Sequence, residues 1–379
     1  MSIILSHSQQ SLKDFFCKNH MATSNISLSV IIPVYNTVKY LDECIDSLLN
    51  QSLKNIELIF VDNGSQDGCY ERLWELENKL NSPLFKVFQV IGGRQGHCRN
   101  FGIQQANGNY IGFCDSDDWV AEDMFELLYK KACELSADIC FGQVVCTQNS
   151  NDAKRLHYNK SFFKSDKYIT SEIPFLTKMT ACYNKIFRRD LLVDHDIRFL
   201  EGVVHEDVTF NYKAFFFAEA VCSNQNAIYF WRQHLQSTTK IQNRSPNRDV
   251  MTMITELRSL EKALDCNADW RLASDRLIEN HMTYLVKGVD PRKLKSFLEE
   301  LLAAAGFIPY TVFLKLKPYL NAEQLGQEIF QYYQTQKRYY SSVRSKLEAY
   351  KKYTKQLIIL LTLSVVLNLL LVVLFAFWL

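Results

Sequence analysis

The stretch LSVIIPVYNTVKYLDECIDSLLNQ (Leu28–Gln51) decides the fold. Its first seven residues are a continuous apolar run rich in β-branched side chains, the pattern of a strand covered on both faces. The run ends at Tyr35-Asn36. Leu41, Cys44, Ile45, Leu48 and Leu49 then recur at helical spacing on one face. The same alternation repeats downstream. IELIFVD (Ile56–Asp62) reads as a strand and the segment around Leu73, Leu76 and Leu80 as a helix. FKVFQVI (Phe85–Ile91) is followed by helical HCRNFGIQQAN, YIGFCD by helical AEDMFELLYKKACEL, and DICFGQVV (Asp138–Val145) closes the series. Strands alternating with helices predict a mostly parallel sheet flanked by helices, with right-handed crossovers.

Outside this region the pattern changes. Residues 1–27 are polar and irregular, without the basic flank and apolar run of a secretory signal. Past residue 150 the alternation loosens through CYNKIFRRDLL, GVVHEDVTFNYKAFFFAEA and the aromatic AIYFWRQH, and from 236 to 324 the chain reads as a helical segment. Residues 325–356 carry a seam at spacings of mostly three and four. It suits a coiled-coil stalk that would join copies of the chain, or a monomeric or membrane-surface helix. Leu357–Leu379 has no charge and as a helix would reach about 34 Å, enough for a ~30 Å hydrocarbon core. Lys337, Arg338, Arg344, Lys346, Lys351, Lys352 and Lys355 precede it against Glu348 alone. The expectation is a single-pass tail anchor holding the body at the cytoplasmic face of the inner membrane.

A net charge of +2 on 379 residues gives no reason to expect nucleic acid as a partner. Eleven cysteines occur without a C-x-x-C pair, which signals neither a zinc site nor a redox motif and fits free thiols.

In an open parallel sheet, ligands bind at the carboxyl ends of the strands. Four polar clusters fall there: Tyr35-Asn36, then Asp62-Asn63-Gly64-Ser65 with Asp67, then Gly92-Gly93-Arg94 leading to Arg99-Asn100, and Asp115-Ser116-Asp117-Asp118. A helix cap explains Asn36 and a turn explains Asp62–Gly64 just as simply. A cap also explains one of Asp117 and Asp118, but not three carboxylates in one loop. Hard oxygen donors clustered in a short loop suit Mn²⁺ or Mg²⁺ bridging to phosphate oxygens.

Taken in order, SVIIPVYNTVKYLDECIDSLLNQS, IELIFVDNGSQD, CRNFGIQQANGNYIGFCDSDDW and HEDVTF resemble glycosyltransferase family 2, whose fold is the GT-A type. The resemblance spans Leu28 to His234. It implies a GT-A domain over 28–235, with a nucleotide-binding half at 28–150 and an acceptor half at 151–235. The implied activity moves a sugar from a nucleotide diphosphate donor to a hydroxyl of a lipid-linked or surface glycan, with inversion and a divalent ion. Carried over by position, Tyr35 lies against the base, Asp62 and Asn63 contact it, and Arg99 sits near the nucleotide. Asp115 addresses the ribose side, Asp117 or Asp118 ligates the metal, and Asp207 is the catalytic base. Where many members have a second aspartate, this chain has Asn63, which still accepts a hydrogen bond but without charge assistance. Uracil is the expected base. His205, His234 and Lys185 are further candidates near substrate. Two other readings share these residues: a nucleotidyltransferase that makes the activated sugar, and a scaffold without catalysis. The first would need a phosphate-binding loop after the first strand, and none is evident.

Overall fold

The computed structural model describes residues 26–147, 155–156, 167–168, 179–234, 248–285 and 294–306. The chain parts into two compact units, Met1–Val289 and Asp290–Leu379.

The first unit is built on a ten-stranded sheet. Its strands are β1 (Leu28–Val34), β2 (Ile56–Asp62), β3 (Phe85–Gln89), β4 (Tyr110–Phe113), β5 (Trp119–Val120), β6 (Ile139–Thr147), β7 (Arg155–Leu156), β8 (Lys167–Tyr168), β9 (Lys185–Arg188) and β10 (Val221–Arg232). The main path runs β3-β2-β1-β4-β9-β6-β10-β5. β1, β2, β3 and β4 are mutually parallel, as are β6 and β10, whereas β9 pairs antiparallel with both β4 and β6. This gives the mostly parallel sheet expected from the alternation, with β9 inserted antiparallel at its centre and the short β5, β7 and β8 pairing antiparallel with β10 or β6, none of which the pattern disclosed. KIFR is too short to declare itself as a strand. Its place in the sheet depends on residues distant in the chain.

Every residue of β1 is buried, which is why its sequence carries no polar alternation. The crossover helices are α1 (Val38–Leu49), α2 (Cys69–Leu80), α3 (Arg94–Gln105) and α4 (Met124–Glu134). Helix α3 packs on β1 and β2, and a Cβ at Gly102 would come within 2.4 Å of Ile31. Only a residue without a side chain permits that approach. The short α5 (Arg189–Asp194) follows β9, and α6 (Glu206–Phe217) precedes β10. Phe199 stacks on Phe210 at 3.8 Å between centroids, and both meet Phe113 edge-on. This aromatic cluster fixes α6 against the sheet, so its acidic first turn sits at the edge where the parallel strands end. Helices α7 (Arg248–Ala263) and α8 (Ala268–Leu285) complete the unit, α7 packing on α6 and α8. Tyr212 of α6 donates to the Trp270 carbonyl at 3.0 Å.

In the second unit, α9 (Leu294–Ala305) is the described element. The expected C-terminal transmembrane helix is corrected: no helix among the described residues is long and apolar enough to cross a membrane. Helix α8 carries Asp269, Arg271, Asp275, Arg276 and Glu279 along its length. Helix α9 reaches only about 18 Å, short of a ~30 Å core. The tail-anchored placement at the inner membrane falls with that helix. The run Leu357–Leu379, the proposed stalk 325–356 and most of the 1–27 extension lie outside the described residues.

Candidate active site

The loops after β1, β2 and β4 are tied to one another by side chains the sequence placed there. Asn36 turns the chain with φ 52°. Its amide donates to Ser65 Oγ at 3.0 Å, and its side-chain oxygen accepts from the Gln66 amide at 2.8 Å. Asp67 accepts from the Val38 amide at 2.9 Å, and Thr37 Oγ1 donates to Ser116 Oγ at 2.9 Å. Tyr35, 57% exposed, is left facing outward above this knot.

Asp62 is fully buried at the end of β2. Its Oδ1 accepts from the amides of Gly64 and Ser65, each at 3.0 Å, and from Gln89 Nε2 at 3.2 Å. Among the described residues its Oδ2 has no partner, nor does the buried Oδ1 of Asn63. Two adjacent acceptors without donors are costly unless a ligand supplies N–H groups.

In the β4 loop the three carboxylates face three ways. Asp115 Oδ1 accepts from Arg99 Nη2 at 2.7 Å and Gln95 Nε2 at 3.0 Å. Burial, the largest influence, raises its proton affinity. Asp118 is buried, and both its oxygens are engaged, Oδ2 by the Tyr229 hydroxyl at 2.7 Å and Oδ1 by the Arg232 amide at 2.8 Å. Asp117 Oδ2 instead meets His234 Nε2 at 2.8 Å, with the side chains 27% and 14% exposed respectively, and the buried His234 Nδ1 has no partner among the described residues. Arg232 holds this corner: its Nε donates to the Asp117 carbonyl at 2.8 Å, Nη2 pairs with Glu43, and the guanidinium lies 4.4 Å from the Trp119 ring centroid. Tyr229 and Arg232 escaped the sequence reading, although both lie in the aromatic run AIYFWRQH.

Arg99, expected beside the nucleotide, is buried between two carboxylates. Besides Asp115 it donates to Glu206 Oε1 at 2.5 Å, and Phe199 covers its face. It thereby links the β4 loop to the first turn of α6. The contact is close because Gly96 lets α3 approach the preceding loop, where a Cβ would fall 2.2 Å from the Leu200 carbonyl oxygen. His205 caps α6 with φ 66° and packs edge-on against His281. Asp207 is half-buried, and its carboxylate accepts no hydrogen bond among the described residues. Burial first, then the neighbouring Glu206 charge, pushes its pKa up to about 7. Lys185 is fully buried at the start of β9.

The expected residues therefore gather at one edge: Asp62 and Asn63 with open acceptors, Asp117 with His234, and Asp115 joined through Arg99 to the Glu206-Asp207 turn. A carboxylate oxygen suits Mn²⁺ or Mg²⁺, and an imidazole nitrogen beside it favours the transition ion Mn²⁺ over the oxygen-seeking Mg²⁺. No set of three His, Cys, Asp or Glu among the described residues could hold a metal alone. The pair fits an ion that takes its remaining donors from substrate and water.

A family model described as "Glycosyl transferase family 2" matches residues 29–195. The chain is 31% identical over 225 residues to the glycosyltransferase GlyA of Streptococcus pneumoniae, across 56% of this chain and 32% of that protein. It is 33% identical over 230 residues to the uncharacterized glycosyltransferase EpsJ of Bacillus subtilis, across 56% and 63%. These alignments span less than two thirds of either relative. Among solved structures, the fold is similar to S. aureus TarS in complex with UDP, with a TM-score of 0.57 and 22% identity over 84% of this chain and 92% of that chain.

Proposed function

We propose, from the match of residues 29–195 to the glycosyltransferase family 2 model, that the chain moves a sugar from a nucleoside diphosphate to a hydroxyl of a glycan or glycolipid, inverting the anomeric carbon. The observation that carries this reading is the convergence at one sheet edge of unpaired acceptors, a partly open Asp117–His234 pair and a carboxylate free of hydrogen bonds. Asp62 Oδ2 and Asn63 Oδ1 suit a base that offers N–H, and uracil has one such group flanked by carbonyls. Tyr35 offers an aromatic face beside them.

Asp117 and His234 would hold the divalent ion, while Asp118, with both oxygens occupied by protein donors, would position the loop. A bound Mn²⁺ or Mg²⁺ supplies positive charge that offsets what develops on the departing diphosphate. Asp207 serves as base. As the acceptor oxygen bonds to the anomeric carbon, the bond to the diphosphate breaks and its electron pair leaves with the nucleotide. The hydroxyl proton passes to the Asp207 carboxylate, whose raised pKa suits it to receive a proton near neutrality. Arg99 keeps Asp115 and Glu206 together, so the donor and acceptor sides stay in register.

The test is a panel of UDP-, GDP- and CMP-sugars, each with and without Mn²⁺, scored by protection against thermal unfolding and by release of free nucleotide. Protection by one nucleotide class that needs the ion is the expected result. Protection by none of them overturns the reading.

A further inference from the structure

The segment that enters β9 has no regular secondary structure at Met179–Ala181, so its carbonyls have no sheet ladder to join. Buried carbonyls need donors. Two side chains supply them. Lys185 Nζ donates to the carbonyls of Met179, at 3.0 Å, and Ala181, and to Asn184 Oδ1 at 3.1 Å. Asn211 Nδ2 donates to the Thr180 carbonyl at 2.5 Å and to the Asp207 carbonyl at 2.8 Å. Lys185 thus holds the carbonyls of Met179 and Ala181, and Asn211, on the helix that bears Asp207, holds that of Thr180 between them.

Three acceptors around Nζ match the three N–H groups of an ammonium. A neutral amine would turn its lone pair towards one of those oxygens. The cage therefore favours a buried positive charge, yet it contains no carboxylate. The charges acting on this position are those of Asp207 and of the Cys182 thiol, should it ionise.

We propose that Lys185 is a positioning residue for the proton acceptor: with Asn211, which also holds the Asp207 carbonyl, it struts the 179–181 segment against the first turn of α6 and supplies a buried cation to the Asp207 carboxylate. The inference rests on the reading of Asp207 as base and extends it to the group behind that base. Burial lowers Lys185 to about 7, with Asp207 opposing that fall. Lys185 and Arg99 in turn oppose the rise of Asp207, which burial, Glu206 and Asp115 cause. Burial shifts the two residues in opposite directions, each towards its neutral form, and each opposes that shift in the other. Removing the lysine should leave Asp207 harder to ionise, and removing the aspartate should leave Lys185 easier to deprotonate. A lysine that only filled hydrogen bonds would do neither.

Two measurements on the full chain decide this. In the first, ¹³Cε-labelled lysine is followed by NMR as pH varies. Lys185 is identified as the resonance titrating near neutrality, and in Asp207→Asn its midpoint should fall by about one unit, the scale of a nearby opposite charge. This needs no lysine variant and no substrate. In the second, the acid limb of kcat/KM in Lys185→Met, or in Lys185→Gln if the first variant does not fold, should move up by a similar interval, with activity recovering at high pH. A lysine midpoint unchanged by Asp207→Asn overturns the proposal. An acid limb unmoved in an active lysine variant does so too. If the wild type turns over no nucleotide sugar, the transferase reading fails, while the NMR result still decides whether the two residues interact.

Discussion

Strand β2 carries a buried acid at each end, and the two have opposite surroundings. Glu57, at its start, accepts from Lys86 Nζ and Ser29 Oγ, each at 2.5 Å, and from the Asn107 amide and side chain at 2.9 and 3.0 Å. Burial alone would raise its pKa, but these donors together bring it below the usual range. Asp62, at the other end, has one oxygen with three donors and, among the described residues, one with none, beside an Asn63 oxygen that likewise lacks a partner there. One edge of the sheet satisfies its own charges, and the other keeps open positions. A fold with no ligand at the second edge would have no reason to bear that cost.

If this contrast is sound, substitutions at the open edge should affect turnover, and those at the closed edge stability. The largest effect should come from Asp207→Asn, which removes the proton acceptor and should lower kcat about 10²–10⁴-fold while leaving donor protection intact. In the wild type, kcat/KM should fall as pH drops through about 7, because protonation there occupies the base. Full activity in the variant would break the assignment. Next, Asp117→Ala should lower turnover about 10²–10³-fold and abolish ion-dependent donor protection, and EDTA should mimic it until Mn²⁺ or Mg²⁺ is restored. At the closed positions, Glu57→Ala should cost about 2–3 kcal/mol in denaturant unfolding with KM unchanged. Asp118→Ala, at the open edge but with both carboxylate oxygens already occupied, strands the Tyr229 hydroxyl and Arg232 amide and should cost about 1–3 kcal/mol in stability. The smallest change is Asn63→Asp. A charged acceptor beside the base should tighten a uridine donor a few-fold, measured as KM, and no change would remove Asn63 from the base contact.

Much of the open edge was legible because it is local. Asp62-Asn63-Gly64-Ser65 and Asp115-Ser116-Asp117-Asp118 each sit on one turn after a recognisable apolar strand, so composition and position suffice to mark them. The division of labour within the second cluster was not legible. Asp117 and Asp118 are neighbours of the same type, and what separates them is a tyrosine and an arginine on β10, more than 100 residues away. The carboxylate pairing of Arg99 was not legible either, because its partner Glu206 is distant in the chain and cannot be read from spacing. Strand β9 was hidden for the same reason. The tail anchor is corrected on different grounds: a charge-free run and flanking basic residues do not by themselves establish a span, and the described helices contain none.

The guanidinium of Arg99 answers to Asp115 on one side and Glu206 on the other. A chimera that joins the first 147 residues of this chain to the later segment of a homologue inherits one carboxylate with its counter-charge and imports whatever stands at the second. Unless that newcomer is also acidic at the first turn of α6, a buried cation loses half its compensation. Donor and acceptor preferences can therefore be recombined only as a matched set, and swaps that respect this pairing are the ones to build first.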